Sequence, residues 1–221
     1  LQVRLIRQHC GDVPILVHDD WSPEPARGQL DAAMALMGVE VVRSGERNIG
    51  HAGGDLGAFH AGLTWAAGKG LRVLVKLSQR FLIDTPGWLQ DAAKLLTSGR
   101  ESCLTDACLQ GPCRLPLRTE AVVVDVPRWS KPAVMAMLVP RRVYPAAADH
   151  VVHRALGRVG GGFAVWPLLG GPDRQIRTPG VLWHCNTKPH EYRVVAERFG
   201  IDLGADFFTS GWPKASREDW G

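Results

Sequence analysis

Two cationic residues near the end of a predicted strand are the residues in this sequence best suited to do chemistry. Lys76 lies inside the apolar segment 71–77, and Arg80 follows shortly after it. A lysine buried without a partner is costly, so Lys76 must lie at an edge, pair with a carboxylate or point into a polar cleft. In a cleft that holds a diphosphate, both cations would stabilise the charge of a leaving phosphate. The alternative is a structural ion pair, for example with Asp19 or Asp20, in a site that has lost catalysis.

Two adjacent carboxylates follow an earlier apolar segment. Residues 13–17 form a continuous apolar run, as buried strands do, and Asp19 and Asp20 come just after it. One of these carboxylates is suited to accept a hydrogen bond from the base or the ribose of a nucleotide. The alternative is that both aspartates only cap a turn, which is a position that this residue type favours.

A glycine-rich segment separates these carboxylates from the cations. The segment predicts a turn built on residues that tolerate unusual backbone conformations: Asn48, Gly50, Gly53 and Gly54. Such a turn lets the backbone approach a ribose or phosphate, with Asp55 or nearby amides at the start of the next helix. Arg47 is a further phosphate partner. The alternative is a purely structural turn that needs glycine for a positive φ.

The elements that must position these residues alternate along the chain. Predicted helices lie at 1–10, 28–37, about 55–67, 85–96 and 188–199, and predicted strands at 13–17, 39–42, 71–77, 121–126, 134–139 and 181–183. This alternation predicts an α/β fold with a mostly parallel sheet sandwiched by helices, and with shorter mixed strands in the C-terminal half. Ligands of such sheets bind at the carboxyl ends of the strands, where the polar residues gather.

Length and charge restrict the class of ligand. The 221 residues carry a net charge of +4 with a pI of about 9.0, which suits an anionic ligand such as a nucleotide. The sequence has no Lys/Arg run and no basic stripe interleaved with aromatic residues, so we expect no nucleic-acid partner. It has no apolar run long enough for a transmembrane segment and no visible secretory signal. The oligomeric state is left open.

The cysteines indicate the compartment. The chain has five cysteines, an odd count that favours reduced thiols in a cytoplasmic protein. Cys103, Cys108 and Cys113 are evenly spaced by five, which is not the spacing of a structural zinc site. Ordinary free cysteines are therefore preferred to a zinc site.

The order of these motifs resembles that of the family 2-like GT-A glycosyltransferases. Residues 15–22 read ILVHDDWS, similar to the strand and D-D-x-S motif of that family. Asn48 and Gly50 match its N-x-G turn, and residues 66–68 match the A-x-G that ends its next helix. The resemblance covers residues 1–96 well and the remainder poorly.

The resemblance implies a single GT-A-like (Rossmann-like) domain over residues 1–221. Residues 1–96 would form the nucleotide-sugar-binding half, and residues 97–221 the acceptor-side half. The first strand of the family would precede residue 1. Because the chain begins with Leu1, we expect a fragment or a trimmed chain.

The resemblance also assigns roles to the polar residues, with one departure. By analogy Asp20 would bind the base. The family's Asp-x-Asp motif, which holds a divalent metal against the diphosphate, is replaced here by Lys76-Leu77-Ser78. Lysine and serine are poor ligands for such a metal, so we expect no metal site. Lys76, Ser78 and Arg80 would then contact the diphosphate directly.

A transferase of this kind that inverts the sugar needs a carboxylate to deprotonate the acceptor. Asp173 lies in a Gly/Pro-rich segment, 156–180, which predicts a long surface loop before the strand that ends at His184. Asp149 is the runner-up, and for both the alternative is a plain surface carboxylate. His184 is expected either to line the cleft or to be a hydrogen-bonded structural histidine.

The resulting hypothesis is a glycosyltransferase that transfers a sugar from a nucleotide-sugar donor to a saccharide or other hydroxyl acceptor. It would be inverting and metal-independent, with no cofactor beyond the donor. The alternatives are a catalytically inactive relative that binds a nucleotide, a saccharide or a protein, and another phosphate-binding enzyme such as a nucleotidyltransferase. Tryptophans near strand ends, Trp21 among them, would be packing residues or part of an acceptor surface.

Overall fold

The chain, studied as a computed structural model, folds into two compact units. The structure describes residues 1–44, 50–79, 81–83, 86–105, 119, 121–140, 148–165, 182–184 and 189–203. The first unit comprises Leu1–Val13, Leu77–Asp91 and Pro167–Gly221, and the second comprises Pro14–Lys76 and Ala92–Trp166. The division of the chain at residue 96 that the sequence suggested stays a prediction.

The second unit begins with a pair of parallel strands. Its first elements are β1 (Leu16–Asp19), α2 (Ala26–Leu36), β2 (Glu40–Arg43), α3 (Gly50–Gly68) and β3 (Val73–Leu77). β1 and β2 run parallel, and their register places Asp19 opposite Arg43. The carboxyl ends of these two strands therefore lie side by side.

A four-stranded sheet forms the rest of the second unit. The remaining elements are α4 (Trp88–Thr97), of which residues 88–91 belong to the first unit, β5 (Glu101–Thr105), β6 (Ala121–Asp125), α5 (Val126–Trp129), α6 (Pro132–Leu138), α7 (Ala148–Val159) and β7 (Gly162–Val165). The strand order is β3-β6-β5-β7. β5 pairs with β6 antiparallel and with β7 parallel.

The core of the second unit lies between α3 and its neighbouring helices. Leu56, Phe59 and Leu63, spaced for one face of a helix, are fully buried. The Phe59 ring packs on the ring of Trp129, with 5.5 Å between the centroids. This face anchors α3 in the core of the second unit.

The first unit is smaller and separately packed. It contains α1 (Gln2–Cys10), β4 (Phe81–Ile83), β8 (Leu182–His184) and α8 (Pro189–Arg198). β4 and β8 pair antiparallel. Leu5, Leu82, Tyr192 and Val195 form its buried cluster.

No helix among the described residues is both long and apolar enough to cross a membrane.

The prediction of an α/β fold is confirmed, with small sheets of both parallel and antiparallel strands. The mostly parallel sheet sandwiched by helices stays a prediction. The strands expected near 13–17, 39–42, 71–77, 121–126 and 181–183 are present, shifted by up to three residues. The expected helices at 1–10, 28–37, 55–67, 85–96 and 188–199 are also present, and the fourth begins only at Trp88. The GT-A-like form of the sheet stays a prediction.

Three local predictions were wrong. Gly53 and Gly54 lie inside α3 and not in a turn, because the buried face of this helix outweighs the low helix propensity of glycine. The apolar segment 134–139 was predicted as a strand, but α6 ends only at Leu138, since Val134 and Leu138 are buried at helical spacing. Gly162–Val165 was predicted as loop and is a strand, stabilised by pairing with β5.

Candidate functional site

Asp19, the last residue of β1, is a buried structural carboxylate. Its Oδ2 is 3.1 Å from Nε of Arg43, and its Oδ1 accepts a hydrogen bond from the Ser22 amide at 2.9 Å. Burial raises the pKa of Asp19, but the hydrogen bonds from Ser22 and the charge of Arg43 outweigh it, so the pKa lies below its usual value. Arg43 also pairs with Asp31. Asp19 therefore ties the end of β1 both to β2 and to the turn that follows.

Asp20, the next residue, is exposed to solvent. Its Oδ1 accepts a hydrogen bond of 2.7 Å from Oγ of Ser44, which follows β2 directly. Its Oδ2 lies against α3, where a Cβ added to Gly54 would be only 2.2 Å away. The carboxylate of Asp20 is thus held between the end of β2 and the second turn of α3, with solvent access. We call His18, Asp20, Ser44 and Gly54 the Asp20 site.

His18 lines the same site from within β1. Its Nε2 lies 3.5 Å from Oγ of Ser44. Burial lowers the pKa of His18; the charges of Asp20 and Asp19 oppose this effect, and the charge of Lys76 adds to it. The net pKa lies below the usual value, so the imidazole is neutral near pH 7. A neutral imidazole beside Ser44 leaves Asp20 as the charged group of the site.

Trp21 follows Asp20 in an unusual backbone conformation. Its φ is 67°, in the left-handed region, and 37% of the residue's surface is exposed. The guanidinium carbon of Arg27 lies 5.1 Å from the centre of its ring. Arg27 in turn donates a hydrogen bond of 3.2 Å to the carbonyl oxygen of Ser22. A partly exposed tryptophan with a cation over its ring therefore directly follows the exposed Asp20 in the chain.

A second polar group lies deeper in the same unit, around Lys76. Nζ of Lys76 is 2.8 Å from Oδ1 of Asp55 and donates to the Thr119 carbonyl oxygen at 2.5 Å. The Thr119 amide and hydroxyl donate to Oδ1 of Asp149 at 2.7 and 2.8 Å. We call these four residues the Lys76 cluster. It connects α3, β3, residue 119 and the first turn of α7.

The Lys76 cluster is shielded from solvent. The side chain of Lys76 is 8% exposed and that of Asp55 is 13% exposed. Of the alternatives for Lys76, the geometry corresponds to an ion pair with a carboxylate, and the partner is Asp55 instead of Asp19 or Asp20. Contact of Lys76 with a phosphate stays a prediction, as does a role for Asp149 as a general base.

Of the remaining predicted site residues, Gly50 belongs to the second unit, and Ser78 and His184 belong to the first. Gly50 is the first residue of α3. Ser78 belongs to the first unit, where its carbonyl oxygen accepts a hydrogen bond of 2.9 Å from Nε2 of Gln2. Its hydroxyl is buried without a hydrogen-bond partner among the described residues. His184 ends β8 in the first unit.

Four predicted residues lie outside the described residues: Arg47, Asn48, Arg80 and Asp173. Their proposed roles in binding phosphate or ribose, and in acid–base chemistry, stay predictions. Within the ranges that the structure describes, no three or more His, Cys, Asp or Glu side chains are grouped so that they could hold a metal ion.

Sequence reasoning missed several residues that shape these sites. Arg43 is the last residue of β2 and Ser44 follows it, just as Asp19 is the last residue of β1 and Asp20 follows it. Polar residues at the carboxyl ends of neighbouring parallel strands are a readable signal, and they were overlooked. Thr119 carries no such signal, because its contacts with Lys76 and Asp149 span long sequence separations.

Comparisons with known proteins give limited information. No protein-family model matches the chain. No curated protein matches it either. Among solved structures, the chain is similar to the crystal structure of a glycosyltransferase involved in the glycosylation of the major capsid of PBCV-1, with 14% identity and a TM-score of 0.48, over 84% of this chain and 100% of that chain. A likeness at this level identifies neither the family nor the activity of the present chain.

Proposed function

We propose that this chain is a glycosyltransferase and that Asp20 binds the nucleotide of its nucleotide-sugar donor. The observation that carries the proposal is the Asp20 site. An exposed carboxylate is held by Ser44 at the carboxyl ends of two neighbouring parallel strands, beside α3. In α/β sheets this is where ligands bind. The D-D-x-S resemblance of residues 15–22 supports the same role for Asp20.

The chemistry of Asp20 suits a nucleotide. An ionised carboxylate only accepts hydrogen bonds and offers about four lone-pair sites, of which Ser44 occupies one. The remaining sites can accept N–H groups of a base or hydroxyls of a ribose. Gly54, in the second turn of α3, lies against Asp20, and helix N-termini favour phosphate groups. The proposal places the diphosphate near this end of α3.

The transfer step requires a base for the acceptor. In the proposed reaction a carboxylate, Asp173 or Asp149, takes the proton of the acceptor hydroxyl. The acceptor oxygen bonds to the anomeric carbon from the face opposite the diphosphate. The bond between that carbon and the diphosphate oxygen breaks, and the nucleoside diphosphate leaves with the electron pair. Arg47, Asn48 and Arg80 are assigned to the ribose and the phosphates.

The proposed transfer is metal-independent. Arg80 and Lys76 supply positive charge where the family resemblance would place a metal motif, with Ser78 as a further polar contact. Lys76 already contacts Asp55 and the Thr119 carbonyl oxygen. In the proposal, its positive charge stabilises a bound phosphate either from this position or after its ion pair with Asp55 has separated.

The engagement of Lys76 favours a second candidate function. A chain whose cation is already paired inside the unit has less free charge to stabilise a leaving diphosphate. The second candidate is therefore a catalytically inactive GT-A-like protein that binds a nucleotide or a saccharide. Both candidates require the Asp20 site, and they differ in turnover.

Calorimetry tests the proposal directly. The chain is titrated with uridine diphosphate and guanosine diphosphate, with added Mn²⁺ or with EDTA. We expect binding of one diphosphate that EDTA leaves unchanged. Asp20→Asn removes an acceptor charge, and hydrogen bonds to charged groups are worth about 1.5–3 kcal/mol, so the affinity should fall by more than about tenfold.

The matched control is Asp12→Asn, which neutralises an exposed aspartate of the first unit and should leave the affinity unchanged. Binding of neither diphosphate, or equal affinities of the Asp20→Asn and unmodified chains, would contradict the proposal. Release of the nucleoside diphosphate from nucleotide-sugars in the presence of a hydroxyl acceptor separates the two candidates, since only the transferase turns over.

A further inference from the structure

We infer that the indole ring of Trp21 is the stacking platform for the nucleobase whose polar edge Asp20 binds. The inference rests on the proposed nucleotide site and adds to it the group that holds the flat face of the base. Asp20 and Trp21 are consecutive residues at the carboxyl end of β1. One supplies an exposed carboxylate and the other a partly exposed ring, which are the two contacts that a nucleobase needs at its edge and its face.

The backbone of Trp21 indicates that its orientation serves a purpose. A φ of 67° is uncommon for residues other than glycine and disfavoured for bulky side chains. Such strained residues persist only where their surroundings enforce them, and they cluster at functional sites. Here the enforcing contacts are the hydrogen bond from the Ser22 amide to Asp19 and the ion pair of Asp19 with Arg43.

The ring of Trp21 is held by a cation. The guanidinium of Arg27 lies over it, and Arg27 is itself held by the Ser22 carbonyl oxygen and by Glu24 at 3.8 Å. With 37% of its surface exposed to solvent, Trp21 is accessible to a ligand. A ring that is held by a cation loses little further conformational entropy when a base stacks on it.

Packing alone explains these features less well. A tryptophan that only filled space would be buried further, and any residue with a lower cost in the left-handed region would serve the turn equally. The contrast is Trp65 in α3, which also carries a cation, Lys69, at 5.5 Å from its ring. Trp65 donates to Glu40 at 3.1 Å, and Glu40 begins β2 at its amino end. Trp65 therefore has the cation but lies within a helix and not in a left-handed turn after β1, so it serves as the matched control.

The test measures affinity for uridine diphosphate by calorimetry in three variants. Base–aromatic stacking is worth enough for Trp21→Ala to weaken binding by about tenfold. Trp21→Phe keeps an aromatic face and should stay within about threefold of the unmodified chain. Trp65→Ala, the matched control, removes an equivalent cation-covered ring and should leave the affinity unchanged.

Tryptophan fluorescence gives an independent readout. A stacked base quenches the indole, so uridine diphosphate should cause saturable quenching in the unmodified chain that is lost in Trp21→Phe although binding persists. Normal affinity in Trp21→Ala, with binding lost in Asp20→Asn, would overturn the platform and leave the nucleotide site standing. Quenching that persists undiminished in Trp21→Phe would also overturn the platform. Absence of any diphosphate binding by the unmodified chain would overturn both.

Discussion

The Asp20 site and the Lys76 cluster are both polar groups of the second unit, but they differ in the exposure and the pairing of their charged side chains. In the Lys76 cluster a lysine side chain that is only 8% exposed contacts Asp55 and the Thr119 carbonyl oxygen. In the Asp20 site an exposed carboxylate receives one hydroxyl, from Ser44, and faces solvent. A charged residue in a strand is therefore not by itself a sign of a ligand.

The physical difference lies in desolvation. Taking a charge out of water is costly unless a partner and hydrogen bonds replace the water, and the Lys76 cluster supplies both within the chain. Asp20 keeps its water and most of its lone pairs, so a ligand can replace that water without breaking an internal pair. Burial together with internal partners thus separates a structural charge from one that is available for binding.

The largest expected effect is on folding, from the Lys76 cluster. Lys76→Ala removes one partner of a buried pair and should lower the free energy of unfolding by about 3 kcal/mol. The measurement is urea unfolding. The double variant Lys76→Met with Asp55→Leu replaces both charges by apolar groups and should recover at least half of the loss. A Lys76→Ala chain that is as stable as the unmodified one would show that Lys76 is not a structural charge.

The next effect comes from Asp19, the buried neighbour of Asp20. Asp19→Asn weakens the contacts with Arg43 and Ser22 and should cost about 2 kcal/mol of unfolding free energy at pH 7. Because the pKa of Asp19 is lowered in the folded chain, its contribution is complete above about pH 4 and is lost as the pH falls through the lower folded value. Urea unfolding should therefore show a smaller difference in unfolding free energy between the two chains at pH 3 than at pH 7. A gap that widens in acid would contradict this assignment.

A smaller effect separates binding from stability at Gly54. Gly54→Ala adds a methyl group 2.2 Å from Oδ2 of Asp20, so this carboxylate must move. Removing a helical glycine should raise the unfolding free energy by about 0.5 kcal/mol, whereas the affinity for uridine diphosphate should fall severalfold. Thermal unfolding and calorimetry measure the two quantities.

The control for this prediction is Gly57→Ala in the same helix. There the nearest atoms, from Pro140 and His18, lie at 3.7 and 3.8 Å, which is ordinary contact. Gly57→Ala should stabilise the chain without weakening binding. Equal affinities in both alanine variants would mean that the observed position of Asp20 is not the one that binds.

The smallest effect concerns the backbone at Trp21. Asparagine tolerates the left-handed region better than alanine does. The Trp21→Asn chain should therefore have a free energy of unfolding about 0.5 kcal/mol higher than that of the Trp21→Ala chain. Both variants lack the ring and should bind uridine diphosphate equally weakly. Urea unfolding checks the first statement and calorimetry the second. If alanine were the more stable replacement, the positive φ at Trp21 would not be a source of backbone strain.

Parts of this arrangement were predictable from local patterns. The apolar run at 13–17 followed by two aspartates predicted a strand that ends in carboxylates, and β1 ends at Asp19. The glycines at 53 and 54 were misleading, because glycine signals a turn unless a buried helical face overrides it. That face, Leu56, Phe59 and Leu63, becomes decisive only when its packing partners are in place.

The sequence by itself determined that Lys76 needs a partner and that two carboxylates follow β1, since both statements depend only on residue type and neighbours. Tertiary structure decided that the partner is Asp55, brought to Lys76 by the packing of α3. It also decided which aspartate is buried. Successive strand residues point to opposite faces, and only the pairing of β1 with β2 sets Asp19 against Arg43 and leaves Asp20 open to solvent.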